Sequence, residues 1–95
     1  MIKIIAKFTL KPSSVESVKK DIAALEIATR KEAGCISYQF FQDVNNHDLC
    51  FAIEEWESQE ALNNHMNADH FKKFMAKASE VVAAEPELSV CTPLV

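Results

Sequence analysis

The sequence is short of nearly everything that announces a known chemistry. It has one glycine in 95 residues and carries no P-loop, no GxGxxG turn and no GxSxG elbow. Chemistry built on Gly-rich phosphate loops or a serine elbow is therefore excluded. Cysteine is sparse: Cys35, Cys50 and Cys91 are an odd number without CxxC spacing. That pattern fits free thiols in a reducing cytosol and not a disulfide framework. No run approaches the roughly 20 apolar residues of a membrane span, and the opening Met1–Lys7 lacks the long apolar core of a signal peptide. A cytoplasmic protein without a membrane partner is expected. Positive charge is also scarce. Ten Lys and Arg against fourteen Asp and Glu leave a formal charge of −4, and adjacent basic residues occur only as isolated pairs, Lys19-Lys20, Arg30-Lys31 and Lys72-Lys73. Nucleic acid would need a dense cationic stripe, which is missing.

What remains is an ordinary globular composition, 48% hydrophobic and 25% charged, in a length that makes one domain over residues 1–95. Ile2, Ile4, Ala6, Phe8 and Leu10 recur at period two, with Lys3, Lys7 and Thr9 opposite, which predicts a half-buried strand over 2–10. Pro12 ends it, and Ser13-x-x-Glu16 has the form of a capping box. Val15, Val18, Ile22, Leu25 and Thr29 then recur at helical spacing, and Gly34 has the place of a left-handed stop. Residues 35–43 and 49–57 predict two strands, joined by the turn-forming Asp43–Asp48. Ser58 predicts the N-cap of a short helix to about Met66. After a break at 67–69, Phe71, Phe74, Met75, Ala78, Val81 and Val82 predict a second helix, closed by Pro86. Leu88, Val90, Thr92 and Leu94 alternate in a last strand. The order is a split βαβ pattern. It predicts an α+β fold: a ferredoxin-like four-stranded antiparallel sheet with the helices on one face.

Neither face of the two central strands is clearly polar. One carries Cys35, Phe41, Leu49, Phe51 and Ile53; the other carries Ile36, Tyr38, Phe40, Cys50, Ala52 and Trp56. Helices cover only one face, and large apolar groups left in water cost roughly 1.5–3 kcal/mol each. A two-fold homodimer that buries the second face is the simplest remedy.

Chemistry, if present, must come from ordinary side chains. The cluster Ile53-Glu54-Glu55-Trp56-Glu57-Ser58, followed by His65 and His70, is where it concentrates. Histidine is the natural base near neutral pH. Trp56 offers a flat wall for an aromatic ligand, and Glu54 shares its strand face, two residues away. Each has a bland alternative: a core tryptophan, solvated or satisfied histidines, a cross-strand ion pair for Glu54. His47 reads as surface. A metal would need the 67–69 break to bring His65 and His70 together, with Glu54 as third ligand; no metal is expected.

These residues resemble a family. Ile53–Ser58, His65, then Asp69-His70-Phe71, together with Lys31-Glu32-Ala33-Gly34-Cys35 closing the first helix, is similar to the signature of the antibiotic biosynthesis monooxygenase domain. The resemblance spans essentially the whole chain. It implies pairing into a dimeric α+β barrel, a cleft between sheet and helices, and no bound cofactor. Similar members include small quinol monooxygenases and an isomerase of a phosphorylated signalling sugar, with a glutamate, an aromatic and two histidines at Glu54, Trp56, His65 and His70. Heme-degrading relatives place an axial histidine where Met75 stands and an asparagine where Lys7 and Phe8 stand, so heme oxygenation is not expected.

The resemblance implies a cofactor-independent monooxygenase acting on a small phenolic or quinol-like ligand. His65 or His70 would be the base, Glu54 would assist, and Tyr38, Phe40, Trp56, Phe71 and Phe74 would form the walls. An enolising isomerase would use the same base without dioxygen, but would want a cationic pocket for phosphate. A dimer that binds a small ligand without turnover is the third alternative.

Overall fold

The computed structural model describes residues 1–95. Strand β1 (Ile2–Thr9) leads to helix α1 (Val15–Arg30), followed by the hairpin β2 (Cys35–Gln42) and β3 (Leu49–Trp56). Helices α2 (Gln59–Met66) and α3 (Asp69–Ser79) come next, and β4 (Glu87–Cys91) closes the chain. The strands pair antiparallel in the order β2-β3-β1-β4. This is the expected ferredoxin-like sheet.

The period-two pattern of β1 does what it predicts. Ile4, Ala6 and Phe8 point under the helices and are buried, because alternate side chains share a sheet face. Across the register, Ala52 opposes Ala6 and Glu54 opposes Ile4, and Tyr38 opposes Glu54 in turn. Val18, Leu25 and Thr29 of α1, Leu62 and His65 of α2, and Phe74 and Ala78 of α3 close over this layer.

Four local expectations change. The capping box does not form: Ser13 has φ 62, the helix begins at Val15, and Ser14 makes no side-chain cap. A bulge between Cys35 and Ser37 swaps two side chains. Cys35, half-buried, packs against the core and Ile36 turns out to solvent, the reverse of a regular alternation. Helix α3 stops at Ser79, so Val81 packs from the turn that follows and Val82 from an isolated bridge to Leu10, where Lys11 N–H donates to Val81 O and Ala83 N–H to Thr9 O. In β4, Leu88 opposes buried Ala6 and Val90 opposes buried Ile4, yet both stay about half exposed. No helix of this chain covers that edge of the sheet.

The two edges are treated differently. On β2, Glu26 accepts from Phe40 N–H and Arg30 Nε–H donates to Tyr38 O, so α1 satisfies the backbone of that edge. The outer sheet face is mixed. Lys3–Glu55 and Lys7–Glu87 pair across it, around half-buried Phe51 and Ile53 and exposed Ile5 and Phe41.

Candidate functional site

Between α3 and the sheet lies a narrow apolar cleft of about 60 Å³, lined by Ala6, Phe8, Tyr38, Phe40, Ala52, Glu54, Phe71, Phe74, Met75, Pro86 and Leu88. Its aromatic walls are mutually braced. Phe8 and Phe74 meet edge-on at 6.4 Å, Phe40 and Phe74 at 5.6 Å, and Tyr38 and Phe40 at 6.0 Å, arrangements that aromatic quadrupoles favour. Four of the expected wall residues, Tyr38, Phe40, Phe71 and Phe74, therefore line one space. Trp56 does not. It is fully buried behind the cleft, with Nε1–H donating to Glu54 Oε1 at 2.9 Å.

Glu54 is the only Asp, Glu, Lys, Arg or His among the lining residues. Burial raises its pKa from 4.5 to about 7, opposed by the Trp56 hydrogen bond and reinforced by the charge of Glu32. A carboxyl in this position exchanges its proton near neutral pH. Burial, with Glu54 and Glu32 nearby, pushes the Tyr38 phenol above its ordinary 10.0; it stays protonated.

The two histidines come together, as the break after α2 allows, but not around Glu54. Glu32, in the turn that follows α1, is the shared partner. Its Oε2 lies 2.7 Å from His65 Nδ1 and 2.7 Å from His70 Nε2. Gly34, at φ 84, makes this turn tight. Its carbonyl accepts from Glu57 N–H, and an added Cβ would stand 2.5 Å from Ala61 Cβ on α2. Ser58 caps α2 by accepting from Ala61 N–H, and the short helix carries His65 into the interior.

His65 is 1% exposed, against ring centroids of Trp56 at 4.8 Å, Phe71 at 4.8 Å and Tyr38 at 5.3 Å. Burial lowers its pKa, partly opposed by Glu32. An ionised carboxylate only accepts hydrogen bonds, so neutral His65 carries its proton on Nδ1, and Nε2 faces the interior without a partner. His70 is a third exposed and borders a groove of about 300 Å³ between α1 and α3, with Asp21, Lys73 and Lys77 around it. Neither histidine is among the residues that line the apolar cleft.

Glu32 is the residue the sequence reading passed over. It stands inside the Lys31–Cys35 stretch that carried part of the resemblance, but no local pattern ties it to side chains 33 and 38 positions away.

Comparison with known proteins matches this arrangement to relatives along almost the whole chain. Residues 1–77 match the family model described as antibiotic biosynthesis monooxygenase. Rv0793 of Mycobacterium tuberculosis, provisionally named as a monooxygenase, is 26% identical over 93 residues, covering 98% of this chain and 91% of its own. A crystal structure of a conserved protein from Methanosarcina mazei Go1 superposes with a TM-score of 0.91 at 32% identity, over 95% of this chain and 89% of that one. Another, of an antibiotic biosynthesis monooxygenase, reaches 0.95 at 25% identity over the whole of both chains. Sequence match, sheet order and helix placement agree: the chain belongs to the antibiotic biosynthesis monooxygenase family.

Proposed function

We propose that the chain is a cofactor-independent monooxygenase that oxidises a small phenolic or quinol-type molecule in the cleft, with Glu54 as the base. The observation that carries the reading is a single carboxyl, with a pKa of about 7, set among aromatic walls. Glu54 removes the phenolic proton. The anion gives one electron to dioxygen, and the radical pair joins as a carbon-bound peroxide at a ring carbon that bears hydrogen; the peroxide takes the proton back from Glu54 to become a hydroperoxide. Breaking the O–O bond and losing that hydrogen as water leaves a quinone. One oxygen atom enters the product and the other leaves as water. The walls exclude bulk water and hold the anion, which is where proximity and desolvation act.

His65 and His70 are assigned supporting roles. His65 packs on Trp56, which donates to Glu54, so it positions the base at one remove; His70 anchors Glu32. The free space of about 60 Å³ is well below the several hundred Å³ of ordinary small-molecule pockets. Entry requires Phe71, Met75 and Leu88 at the rim to swing aside. The cleft offers no Lys or Arg for a phosphate, which disfavours the isomerase.

We propose a homodimer as well, because Ile5, Ile36 and Phe41 remain exposed on the outer sheet face. Three free cysteines suit the reducing cytoplasm we assign it to, and no helix is long and apolar enough to cross a membrane. Sedimentation at micromolar concentration tests the dimer; a stable single subunit would remove it.

Oxygen uptake with a menadiol-like quinol, corrected for autoxidation, tests the chemistry. Glu54→Gln is expected to lower turnover by about 100-fold or more, the usual worth of a general base. Wild-type rate should rise with pH through about 7 as Glu54 ionises. Saturable quenching of Trp56 without oxygen uptake would make the chain a binder and end the monooxygenase reading.

A further inference from the structure

Beyond the cleft, the cluster of Glu32, His65 and His70 has a chemistry that the proposed oxidation leaves unused. The geometry points to a second site here, binding a divalent first-row transition cation through Glu32 Oε2, His65 Nδ1 and His70 Nε2. Two imidazole nitrogens and one carboxylate oxygen are a donor set such cations favour. No two of the three donor atoms are farther apart than 4.8 Å. They arrive from three elements, the turn after α1, helix α2 and helix α3, so a bound ion would tie these together.

The present contacts of 2.7 Å are hydrogen-bond lengths. Donors on a tetrahedral ion at about 2.1 Å stand roughly 3.4 Å apart, so the two imidazole nitrogens, within 4.8 Å of each other, must close on one another while Glu32 withdraws by several tenths of an ångström. It has room to do so, since its side chain is 15% exposed and that of His70 32%. Binding requires each imidazole to move its proton to the ring nitrogen turned away from Glu32. No proton leaves a neutral ring, and the ion accepts two nitrogen lone pairs and one from oxygen. Three protein donors leave at least one position for water.

Two features limit the affinity. The far nitrogen of His65 has no hydrogen-bond acceptor, whereas metal-bound histidines usually donate from that atom. Lys73 and Lys77 border the groove beside His70, opposed there by Asp21. The site is therefore expected to bind reversibly and to lose its ion to chelators.

The test is a titration of chelator-treated, desalted protein with Co2+ and then Zn2+. Visible cobalt absorption should saturate at one ion per chain, without the near-UV band of a thiolate ligand, and Zn2+ should bleach it. At roughly a hundredfold excess over Kd the thermal midpoint should rise on the order of 10 °C. Glu32→Gln and His70→Ala should each abolish colour and shift, and exposed His47→Ala should keep both. His70 is partly exposed, so its variant reads the site even if Glu32→Gln folds poorly. A flat titration, a thiolate band, or colour retained in both variants would overturn the proposal. Glu54→Gln should keep the colour while losing turnover, so each idea fails without the other.

Discussion

Two glutamates with similar surroundings are put to opposite use. Glu54 and Glu32 are linked by the packed rings of Trp56 and His65, yet one faces an apolar cleft and the other a junction of helices. Glu54 is 5% exposed and receives a single N–H at one oxygen; burial wins and its proton is held to about pH 7. Glu32 receives two imidazole N–H groups at one oxygen and keeps some contact with water. The two carboxyls differ in their supply of N–H donors as well as in burial.

The largest test of that contrast is His65→Ala. It removes a fully buried ring and one of Glu32's two donors, and leaves a cavity beside Trp56. A loss of roughly 3–4 kcal/mol is expected by denaturant unfolding. If the regions are coupled through the rings, Trp56 fluorescence should change as well. A stability loss with an unchanged Trp56 environment would mean that cleft and junction are independent.

The pH dependence of stability separates the two regions next. Glu54's folded pKa is raised from 4.5 to about 7, so between those values the folded state holds a proton the unfolded chain has released. Its stabilising effect is full below 4.5 and is lost as pH rises through 7, a change of roughly 3 kcal/mol. His65 acts oppositely. Its folded pKa is lowered from 6.5, so its contribution is present above 6.5 and is lost as pH falls. Glu54→Gln should leave stability less downward-sloping between pH 4.5 and 7, as measured by midpoints at fixed denaturant slope. An unchanged slope would mean that Glu54 is ionised throughout.

Of these two regions, the cleft was the more legible in the sequence. Period two puts Glu54 beside Trp56, and the helical spacing of Phe71 and Phe74 puts them on α3 facing the strands. The junction was half hidden. Its histidines were visible as candidates, but their carboxylate partner is set by how the turn after α1 packs on α2. Such long-range contacts leave no periodic trace. The Ile36 reversal is of the same kind, since one bulge flips a side chain without altering composition. Exposed Leu88 and Val90 show the limit of alternation, which names a face but not what covers it.

Gly34→Ala probes the packing that hides the junction. An alanine there needs φ 84 and puts its Cβ 2.5 Å from that of Ala61, so the turn must move away from α2. A destabilisation of about 2 kcal/mol is expected. Adding Ala61→Gly should recover part of it by relieving the clash but not the backbone strain. No recovery would mean that strain alone is at work, and that the close approach to α2 does not fix Glu32.

The smallest effect is expected from His70→Ala, and it decides whether Glu32 needs both donors. His70 is partly exposed, so water can replace its N–H, and Glu32 keeps the buried bond from His65. The loss should be about 1 kcal/mol, well under that of His65→Ala although the two bonds have the same 2.7 Å length. Equal length with unequal cost is what burial dictates: a donor that water can replace is worth less than one it cannot. Equal losses in the two variants would instead make the junction a single cooperative unit, in which the exposed half holds the buried half in place.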